Sequence, residues 1–146
     1  MFYRTLGRTD IKVSEISFGT IPILKGFKSY DEIMPKFFNL SIEESTNLLR
    51  MAFDEGINFY DTATYDEYAD AEQKTGIAFC HSFLRSKVII GSRARRYSYE
   101  EMYKAVEYSL QVLGTGYADI FYIHQANPDN IALALDVEAG AIRALR

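Results

Sequence analysis

Four short runs of this 146-residue sequence end in residues suited to chemistry: Gly19-Thr20, Asp61-Thr62-Ala63, Ser92-Arg93 and His124-Gln125. A carboxylate, a permanent cation and an imidazole are ingredients of proton transfer. The carboxylate orients the cation, the cation adjusts a neighbouring acid, and the imidazole points a donor at a substrate oxygen. Each group follows an apolar run that reads as a strand, and parallel α/β folds collect function at the carboxyl ends of their strands. Neighbouring strands lie about 4.8 Å apart, so the three groups can share one pocket. The competing reading is that Asp61 only satisfies loop amides and His124 is a core histidine.

The elements that must position them follow from pattern. Phe2-Tyr3-Arg4-Thr5-Leu6 and Lys12-Val13-Ser14-Glu15-Ile16 flank Gly7-Arg8-Thr9-Asp10, which predicts a hairpin. Ile16-Ser17-Phe18 runs into Gly19-Thr20, and a long apolar loop reaches about Leu40. Pro22, Gly26 and Pro35 exclude a continuous helix there, and Ile21, Ile23, Leu24 and Phe27 need something to cover. Ser41-Ile42-Glu43-Glu44 is a capping box opening a helix from Ile42 to about Glu55, stopped by Gly56. A strand over Ile57–Tyr60, a helix from Ala69 to Leu84 and a strand over Lys87–Gly91 come next. Ser98-Tyr99-Glu100-Glu101 is a second capping box, with Tyr97 and Met102 as its hydrophobic staple, and the helix after it lines up Met102, Ala105, Val106, Ser109, Leu110 and Leu113. A strand over Ala118–Ile123 and an alanine-rich helix from about Asn130 to Ala139 complete the pattern. Strand centres near Phe59, Ile89 and Phe121 are 30 and 32 residues apart, the length of one βα unit, so the strands are expected to be parallel. The class is therefore α/β, and no GxGxxG dinucleotide fingerprint follows any expected strand.

Composition narrows the function. A chain 48% hydrophobic and 25% charged suits one globular domain spanning residues 1–146, and a net charge of -4 argues against nucleic acid or anionic lipid as partner. The N-terminus has no secretory h-region and no run approaches a membrane span, so a cytoplasmic protein is expected. Cys80 is the only cysteine, which excludes an intrachain disulfide or thiolate metal site; no metal site is expected, and His81 reads as packing or surface.

Three separated motifs carry a resemblance. Tyr3-Arg4-Thr5-Leu6-Gly7 with Val13-Ser14 and Phe18-Gly19-Thr20, then Gly56-Ile57-Asn58-Phe59-Tyr60-Asp61-Thr62-Ala63, then Asp119-Ile120-Phe121-Tyr122-Ile123-His124, are similar in order and spacing to the aldo/keto reductases. The resemblance implies a TIM-type (β/α)8 barrel plugged by the hairpin, of which about four βα units are present, and NADPH-dependent reduction of an aldehyde or ketone. It implies Gly19, Thr20 and Asp61 near the nicotinamide of NADP, and an aspartate, tyrosine, lysine and histidine that cooperate in proton transfer. The physical need is plain: a phenol with pKa near 10 is a poor acid at neutral pH, and a nearby cation lowers it by favouring the phenolate. Asp61 would orient that cation and His124 would face the substrate oxygen.

Two positions depart from the family pattern. The tyrosine's place, five residues after the aspartate, holds Asp66; Tyr65 is the expected phenol after a one-residue loop deletion, Tyr68 lies two residues late, and the reading in which neither reaches the site stays open. The lysine after the third barrel strand is Arg93, a broader planar cation that never deprotonates, so Asp61, Tyr65, Arg93 and His124 form an altered tetrad. Arg93, Arg95 and Arg96 resemble a phosphate cradle, but a solvated loop is expected, because barrel phosphate sites follow strands seven and eight. A whole barrel takes about 250 residues, so the sequence is read as an N-terminal half, impaired or inactive by itself and binding NADP weakly. Its open sheet edges call for self-association or a complementing half-barrel. The alternative is a degenerate half-barrel, an interaction module or nonfunctional remnant.

Overall fold

In the computed structural model, residues 1–25 and 40–146 are described; Gly26, Phe27 and Pro35 of the apolar loop lie outside them. Strands β1 (Tyr3–Thr5) and β2 (Lys12–Ser14) pair antiparallel as the expected hairpin. Gly7 turns it with φ +55°, a left-handed conformation that favours glycine. Asn58 docks the hairpin under the sheet: its Oδ1 accepts from Ser14 N at 2.7 Å and its Nδ2 donates to the Lys12 carbonyl at 2.9 Å.

Strands β3 (Phe18–Gly19), β4 (Phe59–Asp61), β5 (Ile89–Ala94) and β6 (Ile120–Ile123) form one parallel sheet in sequential order. Helix α1 (Ile42–Asp54) links β3 to β4; a one-turn α2 (Tyr65–Tyr68) and α3 (Ala71–Phe79) link β4 to β5; α4 (Tyr99–Leu113) links β5 to β6. Strand side chains alternate between faces. Tyr60 and Ile90 point to the helices, where Leu49, Phe79, Val88 and Leu113 complete a core with no exposure above 1%. The Tyr60 hydroxyl remains satisfied inside it, donating to the Leu49 and Ile57 carbonyls at 3.1 and 2.9 Å. Close approach requires glycine at Gly76, where α3 meets α4: a Cβ there would stand 2.3 Å from the Leu113 carbonyl oxygen.

Local chemistry moved several expected boundaries. The first capping box forms, with Ser41 Oγ accepting from Glu44 N at 3.1 Å and Glu44 Oε2 accepting from Ser41 N at 2.8 Å. The second does not close on the backbone: Ser98 Oγ donates to Glu101 Oε2 at 2.7 Å. The strand-like backbone around Ser98 is engaged instead by the chain before the last helix, through Tyr99 N to the Ala139 carbonyl (2.7 Å) and Ala141 N to the Tyr97 carbonyl (2.8 Å). The helix expected from Ala69 to Leu84 breaks at Ala69, whose φ is +44°, and ends at Phe79; a 3-10 helix spans Phe83–Lys87. The alanine-rich helix shrinks to one turn, α5 (Ile131–Ala134), followed by α6 (Ala141–Ala144). Asp136 Oδ1 accepts from Glu138 N and Ala139 N, both at 2.8 Å, and this side-chain competition stops the helix. Those two amides also hold the Asp136 carboxyl below the usual aspartate range. Among the described residues no helix is long and apolar enough to cross a membrane.

Candidate active site

The carboxyl ends of β4, β5 and β6 carry the three groups singled out by type. Asp61 pairs in register with Gly91, and Arg93 pairs with Tyr122, so Asp61 and Arg93 stand one step apart on the face opposite Tyr60, Ile90 and Ser92. The Arg93 guanidinium forms an ion pair with Asp61 through Nη2 and Oδ1, and its Nε donates to the Thr62 carbonyl at 3.2 Å. Two anchors therefore orient one planar cation. Two aromatic rings flank it among the described residues, with Cζ 5.4 Å from the Tyr122 ring centroid and 5.9 Å from that of Tyr68.

His124 extends the same edge. Its amide donates to the Ala94 carbonyl at 3.0 Å, continuing the β5–β6 ladder by one residue. Its buried Nδ1 lies 3.2 Å from Glu67 Oε2, within ion-pair range but without the alignment of a hydrogen bond. Glu67, whose side chain is 9% exposed, also takes Arg95 Nη2 at 3.1 Å. Next to it Asp66 accepts from Thr64 Oγ1 at 2.8 Å and pairs with Arg96 Nη2 at 2.5 Å. Burial alone would push the Asp66 carboxyl up, but Thr64 and Arg96 outweigh it and hold the group below the usual range. The three arginines thus each face a carboxylate: Arg93 with Asp61, Arg95 with Glu67 and Arg96 with Asp66. The run Arg93, Arg95, Arg96 is an ion-paired edge.

Tyr65 is placed apart from this group. It is 61% exposed and lines a groove of about 420 Å³ with Gln73, Tyr108 and Gln111, on the helix layer behind the sheet. The short α2 turn puts Tyr65 on its outer side and Tyr68 on its inner side, where Tyr68 packs with Leu24, Ala71 and Ile21. At the end of β3, Gly19 presents bare backbone, with nothing among the described residues within 4 Å of the place a Cβ would take. Thr20 is fully buried and fastens β3 to β4, its amide and Oγ1 both donating to the Asp61 carbonyl at 2.9 and 3.1 Å.

Two participants escaped the sequence reading. Tyr122 was legible in principle, because it stands two residues before His124 and strand alternation puts both on one face. Glu67 left no signal: nothing in the spacing of a one-turn helix announces that a carboxylate will reach His124. Behind the sheet, Glu72 is fully buried and its Oε1 accepts from Ser92 Oγ at 2.5 Å and from Ser109 Oγ, while Oε2 has no partner among the described residues. Burial lifts this carboxyl above the usual glutamate range, against the two serine hydrogen bonds. Among the described residues no cluster of metal-ligand type occurs.

Comparison with known proteins gives this geometry a context. Residues 36–143 match the family model described as the aldo/keto reductase family. L-galactose dehydrogenase of Arabidopsis thaliana is 30% identical over 128 residues, covering 83% of this chain and 37% of that enzyme. A probable voltage-gated potassium channel subunit beta of the same plant is 27% identical over 136 residues, 86% of this chain and 38% of that protein. Among solved structures, PA4992 of Pseudomonas aeruginosa, which carries the name of an aldo-keto reductase, superposes with TM-score 0.76 at 26% identity, over 98% of this chain and 54% of that one. An aldo-keto reductase from Klebsiella pneumoniae, solved in complex with NADPH, shares the fold with TM-score 0.64 at 24% identity, over 88% of this chain and 42% of that one. The chain spans about two fifths of the length of these curated relatives and about half of the solved ones.

Proposed function

This chain belongs to the aldo/keto reductase family, and on that premise we propose that its residues carry the proton-transfer side of an NADPH-dependent, cytoplasmic reductase that turns an aldehyde or ketone into an alcohol. The observation that supports this best is the Asp61–Arg93 ion pair standing beside His124 on one face of the sheet, at its carboxyl end. Asp61 and the Thr62 carbonyl fix the guanidinium. His124 donates toward the substrate oxygen, and a phenol beside Arg93 gives that oxygen its proton. A preorganised donor set of this kind needs little rearrangement as charge develops on the oxygen.

The residues present fit one end of the cofactor. The bare backbone of Gly19, over which none of the described residues stands, would admit a flat ring close to the strand, and Thr20 and Asp61 adjoin it. A reduced nicotinamide bound there would supply the hydride. For the phosphate on the adenosine the described residues offer little, because Arg93, Arg95 and Arg96 are each engaged by a carboxylate. These 146 residues alone should therefore bind NADPH weakly and turn over slowly, gaining both with further βα units or a second copy over the inward sheet face. Titration of NADPH fluorescence with the purified 146-residue chain, paired with product detection from para-nitrobenzaldehyde, tests this. Tight, micromolar binding by a monomer of it would place the cofactor site elsewhere.

A further inference from the structure

The proton donor in this site is a phenol whose position is open in the sequence, since Asp66 stands where the family pattern has tyrosine and Tyr65 lies on the helix layer. We propose that Tyr122, on β6, is the catalytic phenol, delivered to the Asp61–Arg93 pair across the face of Gly91. This rests on the reductase reading above and names a residue for it.

Three observations carry the assignment. Tyr122 is the direct register partner of Arg93, and the guanidinium carbon lies 5.4 Å from its ring centroid. Its ring leans along the sheet toward β4: a Cβ at Gly91 would be 3.2 Å from Tyr122 Cε2 and 3.2 Å from Phe59 Cε2, so glycine at 91 clears the space the ring crosses. Gly91 is itself the register partner of Asp61, so the ring approaches that carboxylate. The phenol senses both charges: burial and the Asp61 carboxylate push it above the usual tyrosine range, while Arg93 pulls it down. Tyr68, the other phenol near Arg93, packs with Leu24 and Ala71. Tyr122 also shares its sheet face with His124, two residues on and about 7 Å along the strand direction.

The chemistry balances. With a reduced nicotinamide bound, its hydride would go to the carbonyl carbon and leave the ring oxidised, while the C=O π pair moved on to oxygen and that oxygen took the proton of Tyr122 Oη. The phenolate left beside Arg93 is reprotonated from solvent. Burial and Asp61 make the resting phenol a weaker acid than an ordinary tyrosine and Arg93 opposes them, so the balance between Asp61 and Arg93 sets how readily it gives up its proton.

The test uses Tyr122→Phe, which keeps the ring that packs over Gly91 and Arg93 and removes only the hydroxyl. In the purified protein, NADPH-dependent reduction of para-nitrobenzaldehyde should fall by roughly 10²- to 10⁴-fold in kcat, more than in Tyr65→Phe or Tyr68→Phe. A larger loss in either of those overturns the assignment. A second readout needs no turnover: with tyrosine isotope-labelled at Cζ, the Tyr122 signal, identified by its disappearance in Tyr122→Phe, should titrate at lower pH in Asp61→Asn and at higher pH in Arg93→Gln. If neither substitution moves it, the proposal fails. If both move it but wild type reduces no carbonyl compound, the reductase reading fails for this chain while the coupling of Tyr122 to Asp61 and Arg93 stands.

Discussion

Replacing Gly76 by alanine sets a local preference against a packing constraint. Alanine favours a helix interior over glycine by about 1 kcal/mol, so an exposed Gly→Ala change in α3 would stabilise. At this position the new Cβ would stand 2.3 Å from the Leu113 carbonyl oxygen and 2.9 Å from Leu113 Cα, against 3.4 Å or more for ordinary contact. Backbone atoms cannot swing aside, so α3 and α4 must separate by about 1 Å. That loosens Phe79 and Leu113, both fully buried in the main core. Overpacking of this kind typically costs about 1–3 kcal/mol, sometimes more, and here it outweighs the helix preference. Gly76→Ala should lower stability by about 2 kcal/mol, a fall of roughly 4–8 °C in Tm for a chain of this size. Urea unfolding followed by circular dichroism measures it. A variant as stable as wild type or more so would show that the helices do not approach as closely as this packing requires.

Glu72→Gln should remove a pH dependence. The folded state binds the Glu72 proton more tightly than the unfolded chain, so wild-type stability declines as pH rises from the ordinary glutamate value through the raised one. The variant, with no proton to retain, should match wild type at about pH 4 and be more stable than wild type at neutral pH; the same stability difference between the two proteins at both pH values, read from urea unfolding, would contradict this. Arg93→Lys should raise carbonyl reduction severalfold, because a compact cation still reaches Asp61 while the bulkier fork no longer crowds the phenol; steady-state kinetics decides it, and a loss would show that the fork is required. Glu67→Gln removes the carboxylate shared by His124 and Arg95, so kcat should drop about tenfold with KM little changed, and an unaltered kcat would leave Glu67 a packing role.

The parallel order and the strand ends were legible because they rest on long-range regularities. Apolar runs recurring at the length of a βα unit demanded parallel strands, and Asp61, Arg93 and His124 sit where each run stops. What escaped was decided by contacts that no periodicity encodes. Ser98 has the residue types of a capping box, but the backbone beside it is engaged by Ala139 and Ala141, more than 40 residues away. The alanine-rich stretch has helix propensity, but Asp136 captures two amides and ends the helix after one turn. Counting five residues after Asp61 lands on Asp66, and Tyr65 was expected only after a one-residue loop deletion; the α2 turn and the positive φ of Ala69 set Tyr65 outward. Tyr122 was hidden among the apolar residues of its strand, and only its alternation with His124 marked it.

Proton transfer in carbonyl reduction is the role proposed for the strand-end group formed by Asp61, Arg93 and His124. Its most direct test is a chimera joining residues 1–146 to the C-terminal βα units of the Pseudomonas aeruginosa relative, with NADPH consumption followed in the presence of para-nitrobenzaldehyde. Turnover is expected, and His124→Ala should lower it by roughly 10²-fold or more without loss of NADPH binding. A folded, NADPH-binding chimera whose turnover is indifferent to His124→Ala would contradict it.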